Sequence, residues 1–132
     1  MITPHRFIMK WLGTPHVYDG RDKQGIDCWG LVCAYYREVL GTELPDWRRA
    51  DKSRRWVCEV MNAETAARID WIDQPQDHCI AFAVRNTGPH HAGIWWRGAI
   101  LHVQEGSTAM YLSESLALQA FGGAIKYGVP HD

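Results

Sequence analysis

Three residues of this chain are of types that could together perform acyl transfer: Cys28, His91 and His102. Cys28 opens a stretch in which Leu31, Val32, Tyr35, Tyr36, Val39 and Leu40 recur at helical spacing, and Gly41 supplies the stop. Asp27 sits at the N-cap position, where its carboxylate can accept a hydrogen bond from a free first-turn amide. A thiol in that first turn meets unpaired N–H groups and the positive end of the helix dipole, which favour thiolate near neutrality. Val32, Tyr35 and Val39 continue the apolar stripe from Cys28. The thiol is therefore expected to face whatever the helix packs against. Taken alone, such a residue is more often an inert half-buried cysteine. Cys58 and Cys79 are read that way, as is Cys33, which is expected to point well away around the helix.

The histidines strengthen the case. Arg97-Gly98 reads as the tip of a hairpin. A two- or four-residue loop sets Trp96 opposite Ala99, Ile94 opposite Leu101 and Gly93 opposite His102. Side chains alternate along a strand, so His91, Gly93 and His102 share one face, with His90 on the other. His91 and His102 are then diagonal neighbours, about 7–8 Å apart at the backbone. Gly93 between them has no side chain to block an imidazole–imidazole hydrogen bond. If the Cys28 helix packs on that face, a nucleophile, a base and an orienting group meet, as in a cysteine peptidase or acyltransferase. The blander reading is two structural histidines. A zinc site is weaker, for want of a fourth ligand.

The elements that must position these residues read as an α+β layout: helices first, then a strand meander. Helices are expected over 6–12, 28–40 and 51–67, with a Gly-punctuated loop over 16–26. Strands are expected over 79–84, 91–96, 99–103 and 108–112, then a short helix over 113–120 and a last strand over 124–127. At 132 residues the chain is expected to form a single domain, 1–132, with no separate wall-binding module. Its 14 basic and 15 acidic residues nearly cancel, which argues against a general nucleic-acid binder. No stretch is long enough for a membrane span, and no secretory leader is read at the start. There is no C-x-x-C pair and no Gly-rich phosphate loop, so neither metal nor cofactor is expected. Arg48, Arg49, Lys52, Arg54 and Arg55 form a basic cluster, read first as a solvated helix face. Trp47, Trp56 and Trp71 are read as packing anchors.

With those residues in place, the chain resembles the NlpC/p60 family of cysteine peptidases. The resemblance rests on Leu12-Gly13-Thr14-Pro15, Asp27-Cys28-Trp29-Gly30-Leu31-Val32, Tyr36-Arg37-Glu38 and Gly41-Thr42-Glu43-Leu44-Pro45. It continues in His91-Ala92-Gly93-Ile94-Trp95 and Leu101-His102-Val103. It implies a papain-like fold in which N-terminal helices pack on a short antiparallel sheet. It also implies cleavage of peptidoglycan stem peptides, typically at the D-γ-glutamyl–diamino-acid bond. Cys28 would attack, His91 would keep the thiol deprotonated and then protonate the leaving amine, and His102 would orient His91. His16 or Tyr18 would join the Cys28 amide at the oxyanion, while Asp27 and Trp29 flank the substrate. His16 stands where the family has Tyr, and Trp29 where many cell-wall members have Ser.

The form of the Asp27–Val32 block looks closest to proteins of phage and prophage tail tips. That implies synthesis in the bacterial cytoplasm, transport on the virion, tail-tip proteins as partners, and action at the host cell wall. Two other readings stay open: a tail-tip structural or assembly protein with little or no hydrolysis, and an amidase or acyltransferase on another γ-glutamyl or lipid substrate.

Overall fold

The computed structural model describes residues 1–46, 67–86 and 88–131. The helix expected over 51–67 falls outside them apart from its last residue, as do Cys58 and the basic cluster from Arg48 to Arg55.

Helix α1 spans Pro4–Trp11. Thr3 caps it by accepting from the Arg6 N–H at 3.2 Å, proline opens the first turn, and Phe7, Ile8 and Trp11 are buried. Helix α2 spans Cys28–Tyr35 and continues as a π-helical turn, Tyr36–Leu40, that Gly41 ends at φ 69°. Every residue from Trp29 to Tyr35 is buried. The amphipathic stripe expected here is therefore not what forms: Trp-Gly-Leu-Val-Cys-Ala-Tyr is apolar all round, and such a helix belongs inside. Cys33, expected to point away, is buried, and its thiol lies 3.7 Å from the Pro45 carbonyl.

A two-stranded ribbon, β1 (Arg21–Asp22) and β2 (Gly25–Ile26), leads into α2. The remaining strands are β3 (Ile69–Ile72), β4 (Ile80–Arg85), β5 (Gly88–Trp96), β6 (Ala99–His102), β7 (Met110–Ser113) and β8 (Ala124–Pro130). They make one antiparallel sheet in the order β3-β8-β4-β5-β6-β7. Helix α3, Glu114–Phe121, sits between β7 and β8, capped by Ser113 and ended by Gly122 at φ 67°. The architecture is α+β, with a six-stranded sheet and three helices among the described residues. The sheet is broader than expected, because β3 pairs with the far C-terminus and β8 runs on to Pro130 to meet it. No described helix is long and apolar enough to cross a membrane.

The sheet separates two apolar clusters. Ile80, Phe82, Ala92, Ile94 and Leu101 pack with α1 and α2, and Ala81, Ala83 and Ile100 pack with Ala117 and Phe121 of α3. Trp71 is less of an anchor than expected: it is 42% exposed, edge-on to Phe82 and covered by Lys126.

The β5–β6 hairpin has the expected register: Trp96 faces Ala99, Trp95 faces Ile100 and Ile94 faces Leu101. Arg97 and Gly98 turn it at φ 46° and 85°, the two positive values a type I′ turn needs. Gly93 is indispensable to the crossing. A Cβ there would lie 2.6 Å from the Leu101 carbonyl oxygen, 2.8 Å from an Ile100 methyl and 2.9 Å from the His102 Cβ. Gly93→Ala is accordingly expected to destabilise the chain by about 1–3 kcal/mol and to move His102 off His91. Urea titration and the imidazole resonances would check this, and an unchanged midpoint with unchanged histidine signals would contradict it.

Candidate active site

The N-terminus of α2 is built before the thiol is placed. Residues 13–18 are clamped on two sides. The Gly13 and His16 amides donate to Ala109 and Ser107, and Ala109 donates back to Thr14. On the other side, Ile26 donates to Pro15 and Val17 donates to Ile26. These bonds lay His16 beside the ribbon that delivers Asp27. Asp27 then caps the helix, its Oδ1 accepting from the Gly30 amide at 2.8 Å. Oδ2 accepts from the Asp19 amide at 2.9 Å, and Arg21 Nη1 lies 2.8 Å from Oδ1.

Cys28 is the first residue of α2. The backbone N–H groups of Ala92 and Trp29 lie near enough to its sulfur to favour the anion. Ala92 directly follows His91 and lies beyond the last β5–β6 pair, Ile94↔Leu101. The thiol thus rests against the His91–Ala92 peptide. His91 Nε2 lies 3.2 Å from His102 Nδ1, with both residues buried. That bond engages Nε2 of His91 and not its Nδ1. A neutral His91 able to accept there carries its hydrogen on Nε2 and donates it to His102.

The structure joins His91 to His102 and brings Cys28 near the neighbouring Ala92 amide, by a different packing from the one expected. His91 pairs with Ala83 and shares its face of the sheet with Ile100 and α3, whereas α2 packs on the Ala92/Ile94 face. The helix and the histidines lie on opposite sides of β5, and the sulfur arrives where the ladder to β6 ends. Phe121 of α3 packs on the histidine side, its ring centroid 4.9 Å from those of both His91 and His102. Sequence reasoning missed this residue, although the apolar end of the helix expected over 113–120 was a signal for it.

Burial dominates the electrostatics. It pushes the Cys28 thiol up to about 12, with Asp27 adding to the rise and the Ala92 and Trp29 amides opposing it. Burial also lowers His91 well below the usual histidine value, helped by His102, His90 and His16, and takes His102 down to about 4. Both shifts favour the uncharged forms, the thiol at Cys28 and the imidazole at His91. Desolvation of the anion thus works against the thiolate expected from the helix dipole, while the nearby amides favour it.

His16 is half-buried, near enough to Asp27, Glu105 and His91 to interact with their charges, and edge-on to Tyr18 at 4.8 Å. Tyr18 donates its hydroxyl to Glu105 at 2.7 Å. Two expectations change. Trp29, expected to flank the substrate, is 6% exposed and its indole N–H donates to the Pro45 carbonyl at 2.7 Å. Asp27, expected beside it, has its carboxylate engaged in the cap and with Arg21. Both side chains thus make structural contacts at the start of α2. Among the described residues no cluster of three or more His, Cys, Asp or Glu could hold a metal ion.

A model of the NlpC/P60 family matches residues 13–126. The chain belongs to the NlpC/P60 family. A curated relative, Protein P54 of Enterococcus faecium, is 31% identical over 62 residues, covering 47% of this chain and 12% of that protein. The chain thus spans only a small part of that relative. Among solved structures, the NlpC/p60 domain of the peptidoglycan hydrolase SagA superposes with a TM-score of 0.63 at 23% identity, covering 95% of both chains. A lipoprotein-like NLP/P60 protein of Staphylococcus aureus superposes at 0.64 and 17% identity, covering 97% of this chain and 40% of its own. At these identities the superpositions speak for the NlpC/P60 fold alone.

The neutral histidine pair makes the NlpC/P60 domain sensitive to acid. The unfolded chain takes up these protons first, since its histidines titrate near the ordinary 6.5 and the folded ones lower. Stability is complete above about pH 6.5 and falls as the pH drops toward 4. The His102 contribution between those limits is on the order of 2–3 kcal/mol. Urea midpoints at pH 7 and 4.5 should show that loss, and His102→Asn should flatten it. A wild-type midpoint that holds at pH 4.5 would refute the buried neutral pair.

Proposed function

We propose that this chain is a cysteine peptidase that hydrolyses peptidoglycan stem peptides at the D-γ-glutamyl–diamino-acid amide, using Cys28, His91 and His102. The observation that carries the reading is the thiol at the His91–Ala92 peptide together with the His91–His102 hydrogen bond. Family membership and a structural neighbour named as a peptidoglycan hydrolase support the substrate class.

As Cys28 Sγ attacks the amide carbonyl, its proton passes to His91 Nδ1, and the Nε2–H bond to His102 steadies the imidazolium. The Cys28 amide lies at the helix N-terminus and donates to the oxyanion. His16 is the second donor in this reading, because the Tyr18 hydroxyl already serves Glu105. Collapse expels the amine, which takes the proton from His91. Water, deprotonated by His91, then cleaves the thioester and frees Cys28. We place the chain on a phage or prophage tail tip, made in the bacterial cytoplasm and acting at the host wall beside other tail-tip proteins. This placement rests on the form of the Asp27–Val32 and Tyr36–Glu38 blocks.

The neutral resting thiol and the sealed Trp29 favour one second reading, a tail-tip structural protein that keeps the fold without turnover. Digestion of purified murein, read by mass spectrometry of the soluble fragments, separates the two. Wild type should release stem-peptide fragments, Cys28→Ala none, and His91→Ala at least about 10²-fold less. A folded wild type that releases nothing would favour the structural reading.

A further inference from the structure

The cap that orders the nucleophile's helix is also an anion beside the nucleophile. An aspartate at the position before Cys28 supplies the acceptor that the first turn needs, yet its charge opposes any negative charge on the sulfur. The structure pairs that carboxylate on its remaining side. Arg21 Nη1 reaches Asp27 Oδ1, the same oxygen that accepts from the Gly30 amide, and also donates to the Gly20 carbonyl at 2.7 Å. The far side of the guanidinium is held by Asp46, with Nε 3.0 Å from each carboxylate oxygen and Nη2 2.6 Å from Oδ1. The Arg21 and Asp27 side chains are each 15% exposed, so this is a largely desolvated contact.

Gly30 makes the approach possible. A Cβ there would lie 2.8 Å from Arg21 Nη1 and 3.0 Å from its Cδ, so the guanidinium rests on bare backbone in the first turn of α2. We propose that Arg21 is a positioning residue for the nucleophile. It neutralises the Asp27 cap, so the cap can order Cys28 without repelling the charge that its sulfur acquires during attack. This deepens the peptidase reading and rests on Cys28 being the nucleophile.

The balance at the sulfur agrees with this role. After burial, Asp27 is the next cause that raises the thiol, and Arg21 is among the groups that lower it. The other titratable groups facing the site are His91 on β5, His102 behind it on β6, and His16 on the 13–18 segment. Burial holds all three neutral at and above pH 7. Burial opposes the charge on Arg21, but its hydrogen bonds to Asp46 and the neighbouring Asp27 more than restore it.

The test is the rate of Cys28 alkylation by iodoacetamide between pH 7 and 10, resolved from the other cysteines by peptide mass spectrometry. Arg21→Gln should slow it about tenfold at each pH, and Arg21→Lys should keep most of the wild-type rate. Asp27→Asn keeps the cap but removes the charge, and should speed alkylation roughly three- to tenfold. The Arg21→Gln, Asp27→Asn double variant should return near wild type. Wild-type rates in either single variant, or a double variant as slow as Arg21→Gln, would overturn the proposal. If Arg21→Gln does not fold, the double variant is compared with Asp27→Asn instead, and equal rates in the two would overturn the proposal. Alkylation needs no turnover, so an inactive wild type on murein would count against the peptidase reading and leave this result standing.

Discussion

The 3.2 Å hydrogen bond between His91 and His102 is the constraint around which the sheet is organised. It joins two buried imidazoles on neighbouring strands that are diagonal rather than opposite, so it forms only if the position between them is empty. Gly93 provides that space, and the Arg97-Gly98 turn fixes the register that brings His102 to it. A slip of one residue would carry His102 to the other face of β6. Phe121 then closes the histidine side, and an aromatic ring against both imidazoles leaves them dry. Their neutrality follows from that enclosure.

The same enclosure sets the chemistry available. A helix N-terminus stabilises an anion, but its worth is typically about 1 kcal/mol. Desolvating a thiolate or an imidazolium costs more than that in a closed site. Burial therefore favours the uncharged thiol and imidazole, and in the proposed mechanism charge separation belongs to the attack, when the substrate's developing oxyanion and the donors around it share the field. On this account the polar groups near Cys28 matter through how little charge they leave at the sulfur. An N-cap aspartate with no partner would be an awkward neighbour there, and the guanidinium lying on Gly30 resolves the conflict without giving up the cap.

Much of this arrangement was legible in the sequence, for a physical reason that differs from part to part. The hairpin was readable because turn geometry and strand alternation are local rules, and they place His91, Gly93 and His102 on one face without further information. The cap and the helix start at Cys28 were readable for the same reason. Three features were not. The side of β5 on which α2 packs depends on which face has more apolar area to offer, and an all-apolar helix carries no stripe to reveal it. The resting state of Cys28 depends on burial that only the packed chain creates, so the dipole argument had the right sign and too small a size. Arg21 lies in a Gly-punctuated loop, where neither periodicity nor propensity speaks, and its role appears only once Asp27, Gly30 and Asp46 are seen around it.

The placement of helix and histidines on opposite faces of one strand has a consequence for how the site is held. Had α2 covered the histidines, a single core would position all three groups, and loosening that core would displace them together. Here Cys28 is positioned by the cluster that contains Phe7, Val32, Phe82 and Ile94, and the imidazoles by the one that contains Ile100, Ala117 and Phe121. Among the described residues the two clusters have no member in common and lie on opposite faces of the sheet. The peptide linking His91 to Ala92 is where they meet: the His91 imidazole lies on one face, and the Ala92 N–H lies near the Cys28 sulfur. In the proposed mechanism, alignment of base and nucleophile thus depends on one stretch of β5 backbone. That stretch is held by β4 at Ala83↔His91 and Phe82↔Ala92, next to the irregularity between Ala83 and Val84. That irregularity directly follows the pair holding His91, so the ladder with β4 loses its regular register immediately beyond it.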